Sequence, residues 1–156
     1  MRPRGPGDDG WIERLLRDNW GSTVVISRGR AHDATSLPGF VALIDGRAAG
    51  LATYRIEGSD CELVTLDSLD EGRGVGTALI DAVKAAAKQQ RCGRLWLITT
   101  NDNTHALRFY QRRGFRIVAV HVGAIAESRR LKPEIPELGQ DGIPIRDEIE
   151  LALELA

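Results

Sequence analysis

The chain has 156 residues, 42% of them hydrophobic and 28% charged. That composition excludes a disordered or fibrous protein and suits one domain over residues 1–156, with a core that needs no disulfide or structural metal. Lys and Arg number 21 against 22 Asp and Glu, for a net charge of −1, so the basic excess of a nucleic-acid binder is missing.

The first ten residues are charged and no apolar stretch follows them, so they do not read as a signal peptide; no run approaches the ~20 apolar residues of a membrane span. The cytoplasm is the expected location, with no membrane partner. Cys61 and Cys92 fit neither a zinc spacing nor a CxxC motif, and no metal is expected. Residues 11–20 place Trp11, Ile12, Leu15, Leu16 and Trp20 at helical spacing, entered through Asp8-Asp9. Thr23 to Ser27 is a β-branched run and reads as a strand, whereas the polar stretch from Gly29 to Gly39 reads as a loop. Three strands follow as an antiparallel meander: Phe40 to Ile44, Ala48 to Ile56 after the hairpin signal Asp45-Gly46, and Glu62 to Leu69.

The period then changes. Val75, Ala78, Leu79, Ala82, Val83 and Ala86 form one helical stripe, ending near Gln89-Gln90. Leu95-Trp96-Leu97-Ile98 has no polar alternation, as a strand covered on both faces would not. Asn103 to Arg113 is a second clear helix, capped by Asn103, striped by Ala106, Leu107 and Tyr110, and stopped by Gly114. Phe115 to Val122 is another strand. Residues 131–144, with three prolines and two glycines, are a long irregular connection. Ile145, Ile149, Leu151, Leu153 and Leu155 alternate with acidic and basic residues in a last strand with one wet face. The fold class is α+β: a mixed, mostly antiparallel sheet with two or three helices.

The chemistry centres on Glu71-Gly72-Arg73-Gly74-Val75-Gly76-Thr77, where a strand ends and a helix begins. Glycines at alternate positions clear side chains from one face of the turn. Backbone N–H groups at the helix start can then point at an anion, helped by the helix dipole. As a bare pattern the turn also suits close helix–strand packing. It is neither the Rossmann spacing nor a P-loop.

Gly72 to Leu79 resembles the acetyl-CoA loop of the GCN5-related N-acetyltransferase (GNAT) superfamily, R/Q-x-x-G-x-G/A. Asn103, Ala106, Tyr110, Gly114 and Phe115 match the superfamily's N-x-x-A-x-x-x-Y-x-x-x-G-F at every position. The resemblance covers about Phe40 to Val122. It implies the GNAT acyl-CoA N-acyltransferase fold, with a central splayed parallel strand pair and flanking helices, and acetyl-CoA as cosubstrate. Backbone of Leu66, Asp67 and Ser68 would pair with the pantetheine arm. Amides of Arg73, Gly74, Val75, Gly76, Thr77 and Ala78 would hold the diphosphate, and Asn103 would cap its helix and reach the cofactor.

The implied reaction is attack of a primary amine on the thioester in a ternary complex. An amine with a pKa near ~10 must first lose a proton, and the departing thiolate is helped by an acid. The resemblance puts the hydroxyl of Tyr110 near the thioester sulfur, in the acid role. For the base, the resemblance points to a carboxylate on the strand carrying Asp60, Glu62 and Val64 on one face. Glu62 leads, with Asp60 and His121 as alternatives. His32 and His105 read as surface residues, and the cysteines as small apolar fillers.

Relatives bind acceptors around positions that here are Trp20, Arg28 to Asp33, and Val122 to Asp147. These stretches carry charge of both signs and no pattern in them selects an acceptor; a small-molecule or peptide amine is expected, taken by a monomer or homodimer. The superfamily's first strand would lie in the proline- and glycine-rich N-terminus and is short or irregular here. The competing readings are a catalytically weak acyl-CoA-binding sensor of the same fold and a plain interaction domain. The sensor draws on Glu71, which stands where the superfamily has Arg or Gln and adds negative charge near a diphosphate. Glu71→Gln is expected to tighten acetyl-CoA binding, read by calorimetry; unchanged or weaker binding would mean that the carboxylate faces solvent.

Overall fold

The computed structural model describes residues 1–69 and 72–155. Among these the chain forms β1 (Arg2–Pro3), α1 (Asp9–Trp20), β2 (Val24–Ser27), β3 (Arg30–Asp33), β4 (Gly39–Ile44), β5 (Arg47–Glu57) and β6 (Asp60–Ser68). It continues with α2 (Val75–Gln89), β7 (Arg94–Thr100), α3 (Thr104–Arg112), β8 (Arg116–His121), α4 (Ala124–Leu131) and β9 (Glu148–Glu154). The elements gather into two compact units, one of residues Met1–Val25, Asp33–Leu95 and the C-terminal end, the other of Ile26–His32 and Trp96–Leu153.

The first unit is built on the strands β1-β4-β5-β6, each antiparallel to the next. Asp45 and Gly46 both take positive φ, the twisted two-residue turn that Asp-Gly favours, and so join β4 to β5. The expected N-terminal strand is short, two residues against Val41 and Phe40. α1 buries Ile12, Leu15 and Leu16 among Val41, Leu51 and Val64. The buried stripe of α2 is Val75, Leu79, Ile80, Val83 and Ala87, rotated from the expected one, so that Ala78 faces out. β6 carries a bulge: Thr53 pairs with Thr65 and Tyr54 with Leu63, which leaves Val64 outside the ladder. Asp60 and Glu62 share a face as expected, and Val64 packs with Leu51 in the cluster under α1, on the side of β5 that also carries Arg55, the partner of Glu62.

Asp8 does something the sequence did not announce. It leads into α1 as expected, yet its side chain makes no cap hydrogen bond to that helix. Its carboxylate takes two hydrogen bonds from Arg2 at 2.7 and 2.9 Å, one from Gly5 N at 2.8 Å and one from Trp11 Nε1 at 2.9 Å. It thereby ties the N-terminal strand to α1.

In the second unit the strand order is β7-β9-β8, with β8 and β9 antiparallel and a bulge at Val118. α3 lies against β8. α4 was not foreseen: Gly123, at φ +75°, turns the chain into it, and it buries Ile125 and Ser128. The charged face of the last strand is wet at Glu154 but not at its start, where Glu148 is only 2% exposed.

The stretch from Gly29 to Gly39 is also more ordered than a loop. Arg28 and Gly29 take left-handed φ and turn β2 into β3, a two-stranded ribbon of its own. His32 is buried within it, not on the surface, whereas His105 is exposed. Among the described residues no helix is long and apolar enough to cross a membrane, and no group of three or more His, Cys, Asp or Glu could hold a metal ion.

The Arg2 guanidinium, by its hydrogen bonds, holds the Asp8 carboxyl well below the usual carboxylate range against the opposing effect of burial. The stability this contributes is fully present above the unfolded value of about 3.9 and is lost as pH falls through the folded one. Asp8→Asn is expected to lower Tm by several degrees near neutral pH, with the gap to wild type closing below about pH 4. Thermal unfolding by circular dichroism checks this; a gap independent of pH would refute it.

Candidate functional site

The turn from β6 into α2 owes its shape to backbone conformation. Gly72 and Gly74 take φ of +79° and +73°, and an added Cβ at either would meet nothing within 4 Å. Glycine is needed there for the left-handed conformation and not for close packing. The amides that open a helix have no partner inside it, and here those of Val75 and Gly76 lead. The Ala78 amide closes the first helical hydrogen bond, to Gly74 O at 3.0 Å, and so stands behind them. Arg73 and Gly74 are exposed, while Val75 and Gly76 are buried against the sheet. Glu71 lies outside the described residues.

Close packing does matter one strand away. A Cβ on Gly50 of β5 would come within 2.6 Å of Val75 Cγ1, 2.8 Å of Asp67 O and 3.0 Å of Leu79 Cδ1. The bare Cα of Gly50 thus lets the first turn of α2 settle on the sheet beside Asp67.

Leu66, Asp67 and Ser68 pair with Ala52, Leu51 and Gly50. In an antiparallel ladder alternate residues turn their backbone groups toward one neighbour and then the other. Part of this strand's backbone therefore points away from β5. The Asp67 side chain turns inward. It accepts hydrogen bonds from Asn19 Nδ2 at 3.0 Å and from Trp20 Nε1 at 3.2 Å, which anchors the end of α1. Burial pushes its carboxyl up, opposed by those two donors.

Glu62 is 2% exposed, with Arg55 Nη2 3.5 Å from its carboxylate. Asp60 is more open and lies 3.5 Å from Arg94 Nε. Cys61 and Cys92 are both free and buried, as fillers would be, and burial pushes the Cys61 thiol up to about 12.

In the second unit Asn103 caps α3: its Oδ1 accepts from Ala106 N at 3.1 Å. The stripe of α3 is half-buried at Ala106, Leu107 and Tyr110. Edge-to-face contacts with Phe109 and buried Phe115, at centroid distances of 5.3 and 5.5 Å, orient the Tyr110 ring. Past Gly114, at φ +95°, the Phe115 amide reaches back to Tyr110 O at 3.2 Å and locks the end of the helix. His121 Nε2 lies 3.0 Å from Glu150 Oε1 on the neighbouring strand. Of the expected site residues, Glu62, Leu66 to Ser68 and Arg73 to Ala78 thus fall in the first unit, and Asn103, Tyr110 and His121 in the second.

Two residues beside Asn103 escaped the sequence reading. Asn101 and Asp102 spend their side chains on backbone between Gln140 and Asp147. The run Asn101-Asp102-Asn103 signals a turn, but nothing local says which distant strand it serves.

The glycine turn at the head of α2 and the capped helix carrying Tyr110 hold the two motifs by which the chain resembles the GNAT superfamily. Residues 9–115 match the acetyltransferase (GNAT) family, and the chain belongs to that family. It is 46% identical over 132 residues to the uncharacterized protein YdhI of Bacillus subtilis (strain 168), covering 84% of this chain and 82% of that one. A GNAT family acetyltransferase from Elizabethkingia anophelis, solved with acetyl-CoA bound, is similar at 26% identity and a TM-score of 0.66, over 78% of each chain. A Bacillus subtilis acetyltransferase solved in complex with CoA shares the fold at a TM-score of 0.70 and 19% identity, over 99% of both chains. The fold class is the expected one, the mixed and mostly antiparallel sheet with a parallel strand pair and flanking helices of the GNAT acyltransferases.

Gly50→Ala is expected to cost about 1–3 kcal/mol, because Asp67 O is backbone and cannot step aside. Urea unfolding measures it; a variant as stable as wild type would mean that the start of α2 yields to the added methyl.

Proposed function

We propose that this chain is an acetyl-CoA-dependent N-acetyltransferase that moves the acetyl group to a primary amine by direct attack in a ternary complex. The observation that carries the reading is the left-handed glycine turn at the head of α2, which has open space at Gly72 and Gly74 and leads into helix-opening amides without intrahelical partners, the kind of group that holds an anion. The acetyl-CoA bound in the similar Elizabethkingia anophelis protein supports it.

In this reading the amides of Arg73 to Thr77, with Ala78 behind them, hold the diphosphate. The outward backbone groups of Leu66, Asp67 and Ser68 pair with the pantetheine arm, and Asn103 stands at the cofactor while capping α3. The amine nitrogen attacks the thioester carbonyl, the C–S bond breaks, and the departing thiolate takes a proton from the Tyr110 hydroxyl. Glu62 receives the proton that the amine gives up, with Arg55 as its opposing charge. The acceptor is a small molecule or peptide amine, met by the region of Trp20, residues 28–33 and the segment from Val122 to Asp147.

Release of free thiol from acetyl-CoA in the presence of an amine panel tests the reading. Tyr110→Phe is expected to lower kcat by about 10²-fold or more while leaving coenzyme A affinity, measured by calorimetry, as in wild type. Full turnover in that variant would remove Tyr110 from the acid role; a wild-type chain that binds no coenzyme A would remove the acetyltransferase reading altogether.

A further inference from the structure

The segment between α4 and β9 has three prolines and one isolated antiparallel bridge, Leu138 with Pro144, yet it is held at many points, and two adjacent side chains supply four of its hydrogen bonds. Asn101 Nδ2 donates to Pro144 O at 2.9 Å, and its Oδ1 accepts from Arg146 N at 2.9 Å and from Asp147 N at 3.0 Å. The Asn101 backbone amide donates to Asp147 O at 3.1 Å. One carboxamide thus satisfies the donors and the acceptor that a strand neighbour would otherwise meet.

Asp102, 5% exposed, accepts from Gln140 N at 3.1 Å through Oδ2 and from the Thr100 hydroxyl through Oδ1. Its carboxylate lies so close to Gly139 that a Cβ there would sit 2.0 Å from Oδ2. Gly139, at φ −105°, is therefore a glycine for space and not for conformation. From the other side Gly123 N donates to Asp147 Oδ1 at 2.8 Å, and Arg129 Nη2 donates to Pro136 O at 2.8 Å and Ile145 O at 2.9 Å.

The turn that does this is the one that starts α3. Asn103, the next residue, caps the helix that carries Tyr110. A single four-residue turn, Thr100 to Asn103, therefore sets both the helix with the proposed acid and the backbone of residues 139–147.

We infer that Asn101 and Asp102 are positioning residues for the amine acceptor, which fix residues 139–147 against the turn that launches α3 so that the acceptor is held in register with Tyr110. The inference rests on the acetyltransferase reading above, in which this segment meets the acceptor. It assigns the choice of acceptor to this proline-rich connection, and it explains why half-buried Asn101 and buried Asp102 spend hydrogen bonds on its backbone. Neither residue touches the reacting atoms. Their effect falls on how well the acceptor is placed, since a misplacement of about 1 Å can cost two orders of magnitude in rate.

The test uses the full chain and a probe panel of spermidine, L-lysine, kanamycin and a peptide with an N-terminal alanine, followed by thiol release. The panel member turned over fastest serves as the acceptor. Asn101→Ala is expected to raise the KM for that amine about tenfold or more and to flatten the preference among the four. The KM for acetyl-CoA and the calorimetric Kd for coenzyme A should stay within about twofold of wild type. Asn101→Asp keeps the two accepting bonds and loses the donor to Pro144, so its amine KM should fall between the two; it also serves if the alanine variant does not fold.

Amide hydrogen exchange over residues 139–147 should rise in the same order. Equal changes in both KM values, or no change in the amine KM, would overturn the inference while leaving the acetyltransferase reading in place. A wild-type chain that binds coenzyme A but acetylates no member of the panel, or that binds none, would overturn that reading and this inference with it.

Discussion

The turn from β6 into α2 governs the first unit. It requires positive φ at Gly72 and Gly74 and a bare Cα at Gly50 beneath the first helical turn. The two requirements are different in kind. At Gly72 and Gly74 there is room for a side chain, but an L-residue would be strained in the left-handed region. At Gly50 the conformation is ordinary and only the space is lacking. Together they bring the head of a well-packed helix down beside the end of β6. Everything proposed for the diphosphate depends on that arrangement.

Three aspartates show how the chain uses buried carboxylates as ties. Asp8 receives a guanidinium and is held firmly ionised; Asp67 receives only neutral donors, from Asn19 and Trp20, and burial raises its proton affinity. Asp102 accepts from a backbone amide and a hydroxyl. A buried carboxylate is costly unless its lone pairs are met. Each of these is met by groups from a part of the chain that would otherwise hang loose: the N-terminus, the end of α1 and the proline-rich segment.

The regular helices and the meander were legible because their signals are local. The Val75–Gln89 period, the Asp45-Gly46 hairpin and the Asn103 cap each depend on residues within a few positions of one another. The Gly-rich turn and the Asn103–Phe115 pattern were legible for the same reason, and they carried the family. What was misread depended on partners far away in the chain. The charged face of β9 looked wet, yet Glu148 is buried. His32 sat in a polar stretch that pairs into a ribbon. The bulge that leaves Val64 without a ladder partner arises from the pairing of β5 with β6, which no pattern within β6 alone specifies.

By itself the sequence determined the main helices, the meander and their order, the glycine turn that opens α2, and the motifs that mark the family. Those follow from periodicity, glycine conformation and motif spacing, all short-range properties of a chain. Only the tertiary structure decided that Asp8, Asp67, Asn101 and Asp102 are internal anchors, that Ala78 stands behind the leading amides, and that Gly50 and Gly139 are glycines for lack of room. A side chain's task in the interior is set by what lies across from it, and that is known only once segments distant in sequence have packed.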